Sequence, residues 1–109
     1  MNEITITHPS KFMVKSKVKT QEIKVPFTKL DFNFTAGRQA GFTWHAPQIG
    51  LKVTLKSEEQ LGIFKFLLNE CQLFDVKFDD RDYKGCIINT IDDKTIKIEA
   101  LRLTVNFHD

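Results

Sequence analysis

A chain of 109 residues can bury about two-thirds of its unfolded surface in one core, so a single domain over residues 1–109 can fold without disulfide bonds or metal ions. Its 41% hydrophobic and 28% charged residues argue against a disordered chain, and its short apolar runs argue against a membrane-spanning helix. The net charge of +2 is uneven: residues 1–29 carry +4 and residues 57–109 carry −4, which is either ordinary solvation or a field that steers copies of the chain together. The first residues lack the basic and apolar regions of a secretory signal, so we expect synthesis in the cytoplasm and no membrane partner.

The first third of the chain alternates apolar and polar residues, which predicts half-buried strands. The apolar positions are Ile4, Ile6, Phe12, Val14, Val18, Ile23, Val25, Phe27, Leu30, Phe32 and Phe34. Pro9 and Pro26 are expected to break these strands, because proline has no N–H for a sheet ladder. Residues 11–25 are expected to form a hairpin that turns near residues 19–21.

A row of lysines, Lys15, Lys17 and Lys19, falls on one side of this hairpin and predicts a basic surface. Two interpretations stay open. Lysines on an edge strand prevent unwanted strand pairing. Together with nearby aromatic side chains, they could also bind single-stranded nucleic acid.

Residues 36–50 contain three of the five glycines and the only tryptophan, which predicts a long loop. We expect Arg38, Phe42 and Trp44 to form an interaction surface there. Ten phenylalanines either crowd the core of so small a domain or leave aromatic side chains for a partner to cover. Phe12 and Phe27 are further candidates for such a surface.

The middle of the chain predicts a strand and then a helix over about residues 57–72. Leu51, Val53 and Leu55 alternate with polar residues, and Ser57 precedes Gln60 at the spacing of a capping box. The predicted helix has an apolar stripe that should face a sheet. The stripe consists of Leu61, Phe64, Leu67, Leu68 and Cys71.

Three strands with charged turns complete the chain. Tyr83, Ile87, Asn89 and Ile91 are expected on one face of the second strand, with Cys86 and Ile88 on the other. The alternation of the last strand changes phase after Ala100, which predicts a β-bulge. The fold class is therefore mainly β with one helix (α+β): an antiparallel β-sandwich or barrel flanked by one α-helix.

The sequence offers no catalytic, cofactor or metal signature, so we expect no enzyme, no cofactor and no metal site. The acidic run Asp79, Asp80 and Asp82 lacks the glycine and glutamate spacing of a calcium loop and is predicted to be a solvated turn. The three histidines are scattered, and Cys71 and Cys86 are expected to be reduced.

Residues 51–107 resemble the small tail proteins of bacteriophages, the tail-tube, tail-completion and distal-tail group. The resemblance lies in the order of elements in LKVTLKSEEQLGIFKFLLNE, FDVKFDDRDYKGCIINTI and TIKIEALRLTVNF, with Tyr83-Lys84-Gly85 as its most motif-like part. It implies a β-sandwich or barrel with one helix. It also implies a non-enzymatic virion component that forms rings, often hexameric, in which a long loop, here residues 36–48, reaches a neighbouring subunit.

Two functional hypotheses follow. The first is a phage or prophage tail-type structural protein, found in the virion, that assembles with copies of itself and with other virion proteins through its sheet edges and residues 36–48. The alternative is a small binding module, such as a phage-encoded inhibitor of a host protein or a single-stranded nucleic-acid binder that uses Lys15, Lys17 and Lys19.

Overall fold

The computed structural model describes the backbone of residues 2–14 and 17–106 and the side chains of residues 2–8 and 20–106. Within these ranges the chain forms nine strands and one α-helix, which a short 3-10 turn at Glu58–Gln60 precedes. In chain order they are β1 (Glu3–Val14), β2 (Lys17–Thr35), β3 (Arg38–Ala40), β4 (Thr43–His45), β5 (Gln48–Leu55), α1 (Leu61–Asn69), β6 (Phe74–Phe78), β7 (Arg81–Asp92), β8 (Thr95–Ala100) and β9 (Arg102–Val105).

Six antiparallel strands close into a barrel in the order β1-β2-β5-β8-β7-β6, and β6 returns to pair with β1. β9 pairs with β7 outside this ring, and β3 and β4 form a separate two-stranded hairpin. The predicted antiparallel β fold with one helix is confirmed, in the form of a barrel.

β2 is 19 residues long and belongs to two parts of the sheet. Its first part pairs with β1 as far as Pro26, which lies opposite Glu3. Its second part pairs with β5 from Phe27 onward. Pro26 therefore lies where β2 changes its partner strand from β1 to β5. A residue without an N–H is tolerated there, because neither ladder continues through it.

The interior of the barrel is filled by the inward-facing side chains of the strands. These include Ile4, Ile6, Val25, Leu51, Val53, Leu55, Phe74, Val76, Tyr83, Cys86, Ile96 and Ile98. The chain between β5 and β6 carries α1, which packs against β7 and buries Phe64 and Leu67 in the same core. The helix therefore covers the end of the barrel where β5 finishes and β6 starts.

The opposite end of the barrel has no helix over it in the described part of the chain; we call it the open end. The ends of β2 and β8 and the start of β5 meet there, since Phe34 pairs with Ile49 and Ile49 with Ala100. The start of β7 reaches the same end, because its pairing with β8 continues through β9 to Arg81.

Three predictions about the first half of the chain were wrong. Residues 19–21 do not form a turn; they lie within β2, and Gln21 pairs with His8. Pro9 and Pro26 lie inside strands rather than between them. The segment predicted as a loop over 36–50 contains the β3–β4 hairpin, and its last residues belong to β5. A short hairpin leaves too few alternating residues to be distinguished from a loop by sequence pattern.

The helix is shorter than predicted. Ser57 occupies the N-cap position of the 3-10 turn, but its side chain makes no capping hydrogen bond. Phe64 and Leu67 are buried as expected, whereas Leu68 is at the edge of the packed face. Cys71 lies beyond the helix with a φ of +49°, so it is not part of the stripe.

The predicted faces of β7 were also wrong beyond Tyr83. Tyr83, Cys86 and Ile88 are buried together, while Ile87 and Asn89 face solvent. The cause is Gly85, which has a φ of +65°. This backbone conformation kinks the strand between Tyr83 and Cys86, so the residues after it change faces. The last strand, predicted to be continuous with a β-bulge after Ala100, is interrupted at Leu101, where β8 ends and β9 begins.

Candidate interaction surface

Exposed apolar side chains are concentrated at the open end of the barrel. Nine large hydrophobic residues are exposed among the described side chains, and six of them belong to β2, the β3–β4 hairpin and the β8–β9 segment at this end. The six are Phe32, Phe34, Phe42, Trp44, Leu101 and Val105. The other three, Leu68, Leu73 and Ile87, lie on the helix, after it and on β7.

Phe32 lies in the opening of the barrel, against residues of the opposite wall. Its ring stacks on Tyr83 with centroids 6.3 Å apart and planes inclined by 4°, and its centroid lies 6.0 Å from that of Phe78. In the described part of the chain β1 starts opposite Pro26, so the second edge of β2 beyond Pro26 has no partner strand. Phe32 fills the resulting gap between β2 and the β6–β7 turn.

Arg81 also lies over the Phe32 ring. The guanidinium carbon is 4.1 Å from the ring centroid, a cation–π geometry. The two salt bridges of the described side chains, Lys29–Asp31 and Lys84–Asp75, do not involve Arg81. Burial raises the pKa of Tyr83, and the neighbouring Arg81 partly opposes this shift. The opening thus carries a positive charge over an aromatic stack.

Phe34 and Val105 extend this inner surface toward solvent. Phe34 pairs with Ile49 and shares its side of the sheet, yet Phe34 is 60% exposed and Ile49 is buried. Val105 pairs with Arg81, so its side chain lies on the same side as Arg81. We call Phe32, Phe34, Arg81 and Val105 the mouth.

The β3–β4 hairpin projects from the rim, where Thr35 pairs with Gln48. Gly41 makes its turn with a φ of +61°, and Gln39 Nε2 donates to the Gly41 carbonyl at 2.9 Å. The Trp44 ring lies on Gly37: a Cβ there would be 2.7 Å from Trp44 Cζ2. Phe42, beside Gly41, is fully exposed. The hairpin is therefore braced at its base and apolar at its tip.

A strand edge is also open at this end. Asn106 N–H donates to the Asp80 carbonyl at 2.7 Å, which fixes the ladder between β9 and β7. By the alternation of an antiparallel ladder, Leu103 and Val105 direct their N–H and C=O groups away from β7. No described strand pairs with that edge. It is a possible template for another strand.

The structure brings together the three predicted interaction residues, Arg38, Phe42 and Trp44, on the hairpin, all exposed. Phe27, a further candidate, is buried and was predicted wrongly. The prediction on Lys15 and on the Phe12 side chain lies outside the described residues. Lys17 and Lys19 lie within β2, but their side chains are likewise not described.

Four residues of this surface were not predicted from the sequence as interaction residues: Phe32, Phe34, Arg81 and Val105. Phe32 and Phe34 continue the alternation of β2, and the pattern indicated core positions. They lie instead where the strand runs past the closed part of the barrel. Nothing in the alternation marks how far a partner strand extends.

The described side chains include no cluster of three or more His, Cys, Asp or Glu that could hold a metal ion. Asp79 has a φ of +50° in the β6–β7 turn, and Asp82 Oδ2 accepts a hydrogen bond from Asn106 Nδ2 at 2.9 Å. Both residues therefore have structural roles in a turn and its flanking strand. Burial, reinforced by the Asp75 carboxylate, raises the pKa of Cys86 to about 12 and keeps this thiol protonated.

Comparison with protein-family models, curated protein sequences and solved structures finds no match to this chain. None of the helices in the described ranges has the length and apolar character needed to cross a membrane. The exposed apolar side chains at the open end of the barrel are the feature from which a function can be argued.

Proposed function

We propose that this protein is a non-enzymatic structural component of a phage or prophage tail, which self-associates through the open end of its barrel. The observation that carries the proposal is the concentration of exposed apolar side chains there. If a fully exposed aromatic residue presents roughly 200 Å², the four aromatic residues of this end expose roughly 500 Å². The largest apolar patch of a typical monomer covers about 300–600 Å² and is often functional.

The size of this patch suits a protein partner. Leu101, 74% exposed, and Val105, 38% exposed, add to the aromatic area. The total approaches the roughly 800 Å² that each partner contributes to a stable interface. The unpaired edge of β9 adds backbone donors and acceptors, so a partner strand could also extend the sheet.

The filled interior supports an assembly role over that of a small-molecule carrier. Inward-facing residues from all six barrel strands belong to one buried cluster, which leaves the rim as the accessible apolar surface. The tail assignment rests on the resemblance of residues 51–107 in element order, and a barrel with one helix is the kind of fold that this resemblance implies.

Light scattering coupled to size-exclusion chromatography, over a wide range of protein concentrations, tests self-association. We expect species larger than the 12.6 kDa chain, with rings or tubes visible by negative-stain imaging. Trp44 emission should shift to shorter wavelength as assembly covers the ring, which is 60% exposed in the single chain.

The matched control is Leu73→Ser. Leu73 is an exposed apolar residue between α1 and β6, at the end of the barrel that the helix covers, so this change should leave assembly unchanged. A 12.6 kDa monomer at the highest attainable concentration, with constant Trp44 emission, would contradict the proposal. Salt-sensitive binding to single-stranded DNA by that monomer would favour the alternative of a nucleic-acid module.

A further inference from the structure

We propose that the β3–β4 hairpin of one copy docks into the mouth of another copy, with Phe42 packed against Phe34 and Val105 beside Phe32. This inference rests on the proposed self-association and identifies the two surfaces that make the contact. The occupant of the mouth is a second copy of this chain.

The hairpin has the properties of a preorganised anchor. Its turn is fixed by Gly41 at a φ of +61° and by the hydrogen bond from Gln39. At its base, Trp44 lies against Gly37 and Pro47. Because the backbone of the hairpin is braced, binding has to order little more than the Phe42 side chain, and aromatic anchors often dominate interface energetics.

The mouth has the properties of a receptor for an aromatic side chain. Phe34 faces the inner side of the sheet but stays 60% exposed, because the strands that would cover it do not extend that far. Beside it, Phe32 contacts both the Tyr83 ring and the Arg81 guanidinium. The receptor is therefore formed before a partner arrives.

The hairpin does not fill the mouth of its own chain. Phe42 is fully exposed, so it makes no covering contact within the monomer. The hairpin leaves the rim at Thr35 and returns at Gln48, and its two strands make their main contacts with each other. Since the contact joins two different surfaces, it can repeat from copy to copy and close a ring.

The turn beside the mouth, Asp79-Asp80-Arg81-Asp82, carries a net charge of −2 with Arg81 counted, so it complements the basic hairpin. Residues 36–48 contain Arg38 and no carboxylate. Neither Asp79 nor Asp80 forms a salt bridge with another described residue. A hairpin that enters the mouth of another copy would bring Arg38 toward this acidic turn and lower the electrostatic energy of the pair.

Two single variants test the contact by complementation. Phe42→Ser inactivates the hairpin and leaves the mouth intact, whereas Phe34→Ser inactivates the mouth and leaves the hairpin intact. Both residues are largely exposed, so both variants should keep the wild-type circular dichroism spectrum and thermal unfolding. Each variant alone should associate at least tenfold more weakly than the wild type in sedimentation experiments.

An equimolar mixture of the two variants should recover a species of twice the 12.6 kDa chain mass, because the hairpin of one fits the mouth of the other. A fluorescent label on one variant identifies this mixed pair. If the wild type assembles but the mixture associates no better than its components, the hairpin–mouth contact is refuted and self-association stands. If the wild type is a monomer, the proposed function itself fails. Leu73→Ser alone, which should associate as strongly as the wild type, controls for loss of apolar surface elsewhere.

Discussion

Gly85 is the residue at which adding a single methyl group should most clearly lower the stability of the barrel. Its φ of +65° is one that an L-residue with a side chain rarely adopts. Its N–H donates to Asp75 Oδ1 at 3.2 Å, which ties the kink in β7 to the neighbouring strand β6. The change Gly85→Ala keeps this N–H and adds only a Cβ.

The magnitude follows from two contributions. The left-handed backbone costs a residue with a Cβ about 1–2 kcal/mol. The new Cβ would also lie 2.9 Å from Leu101 Cδ1 and 3.2 Å from Leu101 Cβ. The exposed end of Leu101 can rotate away, but its Cβ is fixed by the backbone. We therefore expect Gly85→Ala to lower the free energy of unfolding by about 2 kcal/mol.

Urea denaturation followed by circular dichroism, analysed with a common m-value, measures this change. Gly62→Ala is the matched control, because Gly62 lies in α1 with an ordinary φ and no atom within 4 Å of the new Cβ. Alanine is the better helix former, so this control should stabilise the protein by about 0.5–1 kcal/mol. Adding Leu101→Ala to Gly85→Ala should recover part of the loss. A Gly85→Ala variant as stable as the wild type would refute the reasoning.

Three further predictions concern the core and its thiols. An aromatic disulfide reagent at pH 8 should modify one thiol per native chain, at the exposed Cys71, and two after denaturation, because Cys86 is buried. In the folded state the pKa of Cys86 is about 12, against an ordinary value of 9.0. The unfolded chain therefore loses this proton at lower pH, so the free energy of unfolding should fall as pH rises from about 9 to 12. In a pH series of urea titrations, Cys86→Ala should make that fall smaller. Phe64→Ala, at a fully buried position, should lower the free energy of unfolding by about 3–5 kcal/mol, while Leu68→Ala on the same helix, at 36% exposure, should cost much less in the same assay.

Much of the fold could be predicted from alternation alone. Leu51, Val53 and Leu55 are buried on one side of β5, and Phe74 and Val76 are buried on one side of β6, as the pattern indicated. Period-two alternation is reliable where a strand keeps one face in the core along its whole length. These are the strands of the closed part of the barrel.

The errors occurred where the backbone departs from a regular strand. Gly85 shifts the phase of β7, and the register between β7 and β8 shifts again between Ile88 and Thr90. β1 has a register irregularity between Pro9 and Met13. Apolar residues of both phases adjoin these irregularities, so the pattern does not locate them as it did the change of phase after Ala100.

The interaction surface could be predicted only in its hairpin part. Phe42 and Trp44 stood out because they are aromatic residues in a glycine-containing segment. Phe34 did not, because its exposure depends on the lengths of strands distant in sequence. Arg81 acquires its place over Phe32 only when β2 and β7 face each other across the barrel.

The closure of the barrel between β1 and β6 has a consequence for local opening. Only three residue pairs join these strands, Thr5 with Lys77, Ile6 with Val76 and Thr7 with Asp75, whereas β2 and β5 share eight. This seam is the shortest ladder of the ring, so the smallest number of hydrogen bonds must break there to separate two strands. Amide protons of the seam should exchange with solvent sooner than those of β5 and β8. Transient parting of β1 from β6 would turn the closed ring into an open sheet with two new edges.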